Sequence, residues 1–291
     1  MTNIHGSGVA LITPFNDNYN IDYEALEKLI NYVIDGGVDY IVMLGTTGES
    51  VVISSDEKKK LIKFFNEINK DRVRIVLGVG GNNTLAVINE LKSFNLSKIE
   101  AILSVSPYYN KPTQEGIYLH YKLISEASSL PIILYNVPGR TASNIDAVTT
   151  LKLAHDFDNI IAIKEASGDL IQIQNILEKR PSGFSVLSGD DDLTYKMISM
   201  GANGAISVVG QVFPKKFTNM VKLGINQKNK DAYILHNQIK PIYKSLYQDG
   251  NPAGVKAALN ILGICKNILR PPLMPVSKNT FNNLSKFLNN I

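Results

Sequence analysis

Short apolar runs rich in β-branched residues alternate along the chain with longer segments in which apolar positions recur every three or four residues. The first run is 8–15, and it is followed by 22–34, where Ala25, Leu26, Leu29, Ile30 and Val33 share one helical face. Further runs follow at 39–45, 74–80, 101–107, 131–138, 160–166, 184–189 and 204–210. The stretches between them read as helices. Ser54 with Glu57 makes a capping box ahead of Leu61, Ile62, Phe65 and Ile68, and Asn144 stands before an Ala147, Val148 and Leu151 stripe. Eight strand-helix units over 1–224 have the order and size of an α/β fold, the (β/α)8 TIM barrel, with a doubly wound open sheet as the rival. After Gly224 the strand signal ends, and Ala232, Leu235, Ile239, Ile242 and Leu246 fall on an amphipathic stripe. With helical segments around 255–262 and 280–288, residues 225–291 read as a C-terminal helical extension. No Gly-, Ser- or Pro-rich linker precedes it, so it is expected to pack on the barrel.

Composition narrows the function classes. The chain has 291 residues, 44% hydrophobic and 19% charged, which excludes global disorder. A single cysteine, Cys265, excludes an intrachain disulfide framework, and His5, His120, His155 and His236 form no ligand-spaced pair, so neither a metal nor a cofactor is expected. The net charge is +4, and the longest basic run, Lys58 to Lys60, reads as a solvated helix face, so no nucleic-acid partner is expected. No apolar run approaches the roughly 18 residues of a membrane span. The opening MTNIHGSGVA also lacks the basic start and apolar core of a signal peptide, which together point to a cytoplasmic protein without membrane attachment.

Chemistry enters at the ends of the predicted strands. The run Gly78-Val79-Gly80-Gly81-Asn82-Asn83 begins as a dinucleotide fingerprint does, but Asn83 stands where its third glycine belongs, and the glycines read better as a strand-end turn. Lys164 lies in Ile160 to Ala166, whose alternation puts Ile161 and Ile163 on one face and Ala162, Lys164 and Ala166 on the other, toward the barrel interior. A desolvated lysine favours its neutral amine, the nucleophile for a Schiff base; a structural ion pair with Glu165 or a neighbouring acid is the equal alternative. Gly45-Thr46-Thr47-Gly48-Glu49-Ser50 offers paired hydroxyls and backbone N–H groups to an anion such as a carboxylate. Ser106-Pro107-Tyr108-Tyr109 places two phenols beyond the fourth strand, and Tyr135-Asn136-Val137-Pro138-Gly139-Arg140-Thr141 brings a phenol and a guanidinium able to grip a carboxylate. Each segment has an ordinary structural reading, but all four fall on the rim where barrel enzymes build active sites.

These motifs, with Ile163-Lys164-Glu165-Ala166-Ser167-Gly168, Ser188-Gly189-Asp190-Asp191 and Asn251-Pro252, resemble the pyruvate-dependent class I aldolase family, the N-acetylneuraminate lyase-like barrels, nearly end to end. The resemblance implies a lyase in which Lys164 forms the Schiff base with pyruvate and Thr47 holds the pyruvate carboxylate. It implies a proton relay of Tyr135, Thr46 and Tyr109, the last inserted from a neighbouring subunit. Arg140 would position the carboxylate of L-aspartate 4-semialdehyde, and Gly189 and Ile206 would line the pocket. The product would be 4-hydroxy-tetrahydrodipicolinate, on the route to diaminopimelate and lysine, and the assembly a homotetramer of two tight dimers. The tyrosine pair and Arg140 argue against a sugar-acid aldolase of the same fold, and the joint presence of these side chains argues against a non-catalytic keto-acid-binding barrel. At the regulatory site of lysine-inhibited members the matching positions are Ser55, Lys58 and Ala86, with Ser50, Asn82 and Tyr108 retained. A cation and no carboxylate there imply weak or absent inhibition by L-lysine.

Overall fold

A computed structural model describes residues 4–290. Eight parallel strands, β1 (Gly6–Ala10), β2 (Tyr40–Met43), β3 (Arg74–Gly78), β4 (Ala101–Val105), β5 (Ile132–Asn136), β6 (Ile160–Glu165), β7 (Ser185–Ser188) and β8 (Gly204–Ser207), close into a barrel in chain order, with β1 pairing both β2 and β8. Around them run α1 (Tyr23–Asp35), α2 (Ser55–Asn69), α3 (Thr84–Ser93), α4 (Gln114–Ala127), α5 (Pro138–Thr141), α6 (Ala147–Asp156), α7 (Leu170–Lys179), α8 (Thr194–Ser199) and α9 (Pro214–Ile225). Beyond the barrel come α10 (Asn229–Tyr247), α11 (Ala253–Ile261) and α12 (Lys278–Leu288). Among the described residues no helix is long and apolar enough to cross a membrane.

Strand alternation sorts the apolar side chains into two layers. An inner cluster that includes Val42, Val76, Leu103, Ile133 and Leu187 fills the barrel, and a larger one lies between sheet and helices. Two sequence expectations shift. The first strand ends at Ala10 rather than Phe15, after which the chain carries Pro14, which has no N–H for a ladder, and Phe15 instead bridges antiparallel to Ile21. In β6 the pairing steps from Ile132 with Ile160 to Ile133 with Ala162, so one residue is skipped. That bulge turns Ile161 inward beside Ala162, while Ile163 faces the helices as strict alternation resumes toward Lys164.

The capping box of α2 forms in both halves. The N-cap of α6 is Asp146, not Asn144, and the inner face of that helix is Thr149, Thr150 and Leu153, whereas Val148 is exposed. The glycine-rich run after β3 does turn the chain. A Cβ on Gly78 would stand 2.4 Å from the Leu44 carbonyl oxygen and one on Gly80 2.6 Å from the Val105 nitrogen, so neighbouring backbones fill the space a side chain needs. Asn83 then caps α3.

Ala232, Ile239, Ile242 and Leu246 of α10 join the same apolar cluster as the barrel helices. Polar bonds fasten this extension to the rim. The Tyr247 hydroxyl donates to Asp191 Oδ2 at 2.6 Å, and Lys256 Nζ lies 2.5 Å from Glu49 Oε1 with both side chains sealed from solvent. Arg270 forks onto Glu57 and holds that carboxyl well below its ordinary range, at about 2. Its backbone N–H also donates to Glu49 Oε2. Glu49, on the Gly45 to Ser50 turn, is thus anchored by the C-terminal helices.

Candidate active site

In the β5–β6 register Tyr135 stands opposite Lys164, and Nζ of the lysine lies 4.3 Å from the centre of the phenol ring. Lys164 is buried, at 6% exposure, between the small side chains Ala162 and Ala166 on its own strand. Its stem runs past Gly189, where an added Cβ would come within 2.9 Å of Cε and 3.1 Å of Cγ. Among the described residues, Lys164 makes no ion pair. Glu165 points to the other side of the strand, where Asn136 Nδ2, Gln172 Nε2 and the Ser167 N–H donate to it at 2.9–3.0 Å. Burial pushes its carboxyl up while these donors pull it down. The Lys164–Glu165 pair that the sequence left open does not form.

At the rim a cavity of about 220 Å³ is lined by Thr46, Tyr108, Tyr135, Val137 and Arg140, among others; Lys164, Thr47, Gly189 and Ile206 lie outside its lining, and Lys164 adjoins it through the Tyr135 ring. The turn carrying Thr46 and Thr47 is bracketed by left-handed backbone at Leu44 (φ 56°) and Glu49 (φ 55°), a conformation non-glycine residues hold only when their surroundings impose it. Its Gly48 and Glu49 N–H groups bond to Gly45 and Thr46 carbonyls, so these two amides are consumed by the turn rather than left free for an anion. The hydroxyls of Thr46 and Thr47 are further donors on the same turn. Thr46 is exposed, whereas Thr47 is buried and its Oγ1 accepts from Asn251 Nδ2 at 2.9 Å. Arg140 is exposed, with Nη2 3.5 Å from the Asn251 carbonyl oxygen. Ile206 packs in the inner cluster. Ala142, which follows Thr141, sits at φ 55° as the C-cap of α5.

Thr46, Tyr135 and Arg140 therefore line one cavity, with Lys164 against the Tyr135 ring, Gly189 beneath the lysine stem, and Thr47 reached through Asn251. Tyr109 stands apart. It is 87% exposed at φ 74°, tethered by a backbone bond to the Thr141 carbonyl, with its phenol outside the cavity.

Three residues near the site follow from no local sequence pattern. Asn251 reaches Thr47 across 204 positions, and the Glu49–Lys256 pair spans a similar distance, separations at which no local pattern operates. Glu90 also lines the cavity and is paired with Lys58 at 2.6 Å. It lies one helical turn beyond Ala86, so a carboxylate is present near that regulatory position after all.

A buried lysine without an acid partner, packed on a phenol that lines a rim cavity of a (β/α)8 barrel, is the arrangement that imine-forming barrel lyases require. Within that class the chain belongs to the dihydrodipicolinate synthetase family, whose model matches residues 3–291. It is 51% identical to a 4-hydroxy-tetrahydrodipicolinate synthase of Flavobacterium psychrophilum, over 97% of this chain and 96% of that one. With the enzyme of the same name from Azobacteroides pseudotrichonymphae it shares 52% identity over 98% and 96%. The crystal structure of dihydrodipicolinate synthase from Thermotoga maritima superposes with a TM-score of 0.96 at 38% identity, covering 99% of each chain.

Proposed function

We propose that the enzyme condenses pyruvate with L-aspartate 4-semialdehyde to 4-hydroxy-tetrahydrodipicolinate through an imine on Lys164. The observation that carries this reading is the buried Lys164, without an ion-pair partner, against the ring of Tyr135, which lines the rim cavity. The Lys164 amine adds to the keto carbon of pyruvate and water leaves, giving the imine. Loss of a methyl proton gives the enamine, whose carbon attacks the aldehyde, and the resulting alkoxide takes up a proton. The amino group of the semialdehyde then attacks the imine carbon, the ring closes, and the Lys164 amine departs unchanged.

Roles follow from position. Thr47 holds the pyruvate carboxylate, Tyr135 and Thr46 pass protons, Arg140 at the mouth takes the aldehyde's carboxylate, and Gly189 and Ile206 shape the floor. Tyr109 completes the relay from a second copy of the chain; its exposure in the single chain supports that reading, and the dimer is the minimum active unit of a homotetramer. The reaction is proposed to take place in the cytoplasm. Borohydride reduction with pyruvate followed by mass spectrometry of the labelled peptide tests the reading: an adduct on Lys164 is expected, and active, folded enzyme without one refutes it.

Inhibition by L-lysine is proposed to be weak or absent. Lys58 is not a lone cation, since Glu90 lies beside it, but the Lys58–Glu90 pair already neutralises the carboxylate that a cationic effector would need. Half-inhibition at sub-millimolar L-lysine in a steady-state assay would refute this.

A further inference from the structure

We propose that Asn251, in the turn between α10 and α11, is a positioning residue that orients the Thr47 hydroxyl toward the keto acid's carboxylate. This rests on the reading that Thr47 holds that carboxylate. A hydroxyl has one proton and two lone pairs, so what it donates to depends on what already donates to it. Asn251 Nδ2 gives its hydrogen to Thr47 Oγ1, and among the described residues the Thr47 hydroxyl has no acceptor of its own. Its single proton therefore remains for a ligand. A carboxylate is the acceptor such a donor suits best.

The surroundings fix Asn251 in place. Gly250 takes a left-handed turn at φ 94°, and Gly254 packs so closely that a Cβ there would meet the Leu246 carbonyl oxygen at 2.0 Å. The Tyr247 hydroxyl on Asp191 pins the end of α10 to the loops after β7 and β8. The Asn251 amide oxygen is buried without a partner, a state that costs stability. The backbone carbonyl of the same residue faces Arg140. One residue of the helical extension thus touches both groups assigned to substrate carboxylates, which gives that extension a part in substrate binding.

Asn251→Asp is the informative variant. An ionised carboxylate can only accept, so it takes the Thr47 proton and places a negative charge beside the keto acid's own. The pyruvate concentration giving half-maximal borohydride trapping on Lys164 is expected to rise about 10- to 100-fold, with the KM for the aldehyde moving less and the melting curve little changed. The defect shrinks as pH is lowered and the new carboxyl regains a proton to donate, a response that a purely structural role does not produce. Asn251→Ala gives a smaller loss that does not depend on pH. Thr47→Val separates the two readings. If it leaves pyruvate trapping unchanged, the role of Thr47 falls and the proposal with it; if it weakens trapping while both Asn251 variants stay within twofold of the parent, only the proposal falls.

Discussion

Lys164 and Lys256 are both buried lysines set against an aromatic ring, yet they are built for opposite ends. Lys256 is fully enclosed: Glu49 lies 2.5 Å from its Nζ, the Ile268 carbonyl accepts from it at 2.8 Å, and the Phe15 ring centre is 4.1 Å away. Lys164 has the Tyr135 ring at a similar distance, 4.3 Å, but no acid. A buried cation held by a counter-charge and a carbonyl joins parts of the chain, here the C-terminal helices and the turn that carries Thr46 and Thr47. One left without a counter-charge has a nitrogen available for chemistry. Burial alone does not distinguish them; the partners do.

The largest effects should separate the two lysines cleanly. Lys164→Met is expected to lower turnover by at least about 10⁴-fold and abolish the borohydride adduct, with a melting temperature at or above that of the parent, since an uncompensated polar group has been removed. Lys256→Met leaves Glu49 buried without its cation and should cost about 3–5 kcal/mol in urea unfolding, while folded protein at low temperature still forms the adduct on Lys164. Adding Glu49→Gln to Lys256→Met should recover part of that loss. Equal destabilisation by the two lysine variants would break the comparison.

His120 sharpens it from another side, because it too is buried and only partly satisfied, yet it does not line the rim cavity. Its Nδ1 is 2.9 Å from Thr84 Oγ1, Nε2 has no partner, and burial pulls its pKa down to about 4. The folded value lies below the unfolded value of about 6.5, so the neutral ring contributes stability that is present above pH 6.5 and lost as pH falls toward 4. At about 1.4 kcal/mol per pH unit, roughly 2 kcal/mol disappears between pH 6.5 and 5. Urea unfolding of the parent should show this loss and that of His120→Gln should show a shallower slope, with no change in adduct formation at pH 7.5. Identical slopes would contradict it.

How far the molecule could be read from its sequence follows the range of the interactions. The eight strands, the α2 cap and the inward lysine rest on periods of two and 3.6 and on i to i+3 contacts, which the chain writes locally. The face of Ile161 departs from simple alternation because a bulge is set by the neighbouring strand, and Val148 stays exposed because the hydroxyl-bearing Thr149 and Thr150 pack inward, which hydrophobic periodicity does not encode. The rim residues were legible because they follow strand ends. Asn251, Lys256 and Glu90 were not, since their partners lie on other elements and only the closed barrel brings them together.

The smallest effect concerns the space around Lys164. A methyl group at Gly189 would stand 2.8 Å from Ala166 Cβ and 2.9 Å from Lys164 Cε, below any normal carbon–carbon contact, and the flexible lysine stem is the part that can move. Gly189→Ala should therefore displace Nζ from the Tyr135 ring and slow adduct formation about tenfold, with unfolding energy changed by only about 1 kcal/mol. Gly139→Ala is the matched control, because an added Cβ there meets nothing within 4 Å, and its adduct formation should equal the parent's. If Gly189→Ala formed the adduct at the parental rate, the lysine would tolerate a displaced stem. The absence of a fixed partner would then be what matters at Lys164, and the tight channel around it would not.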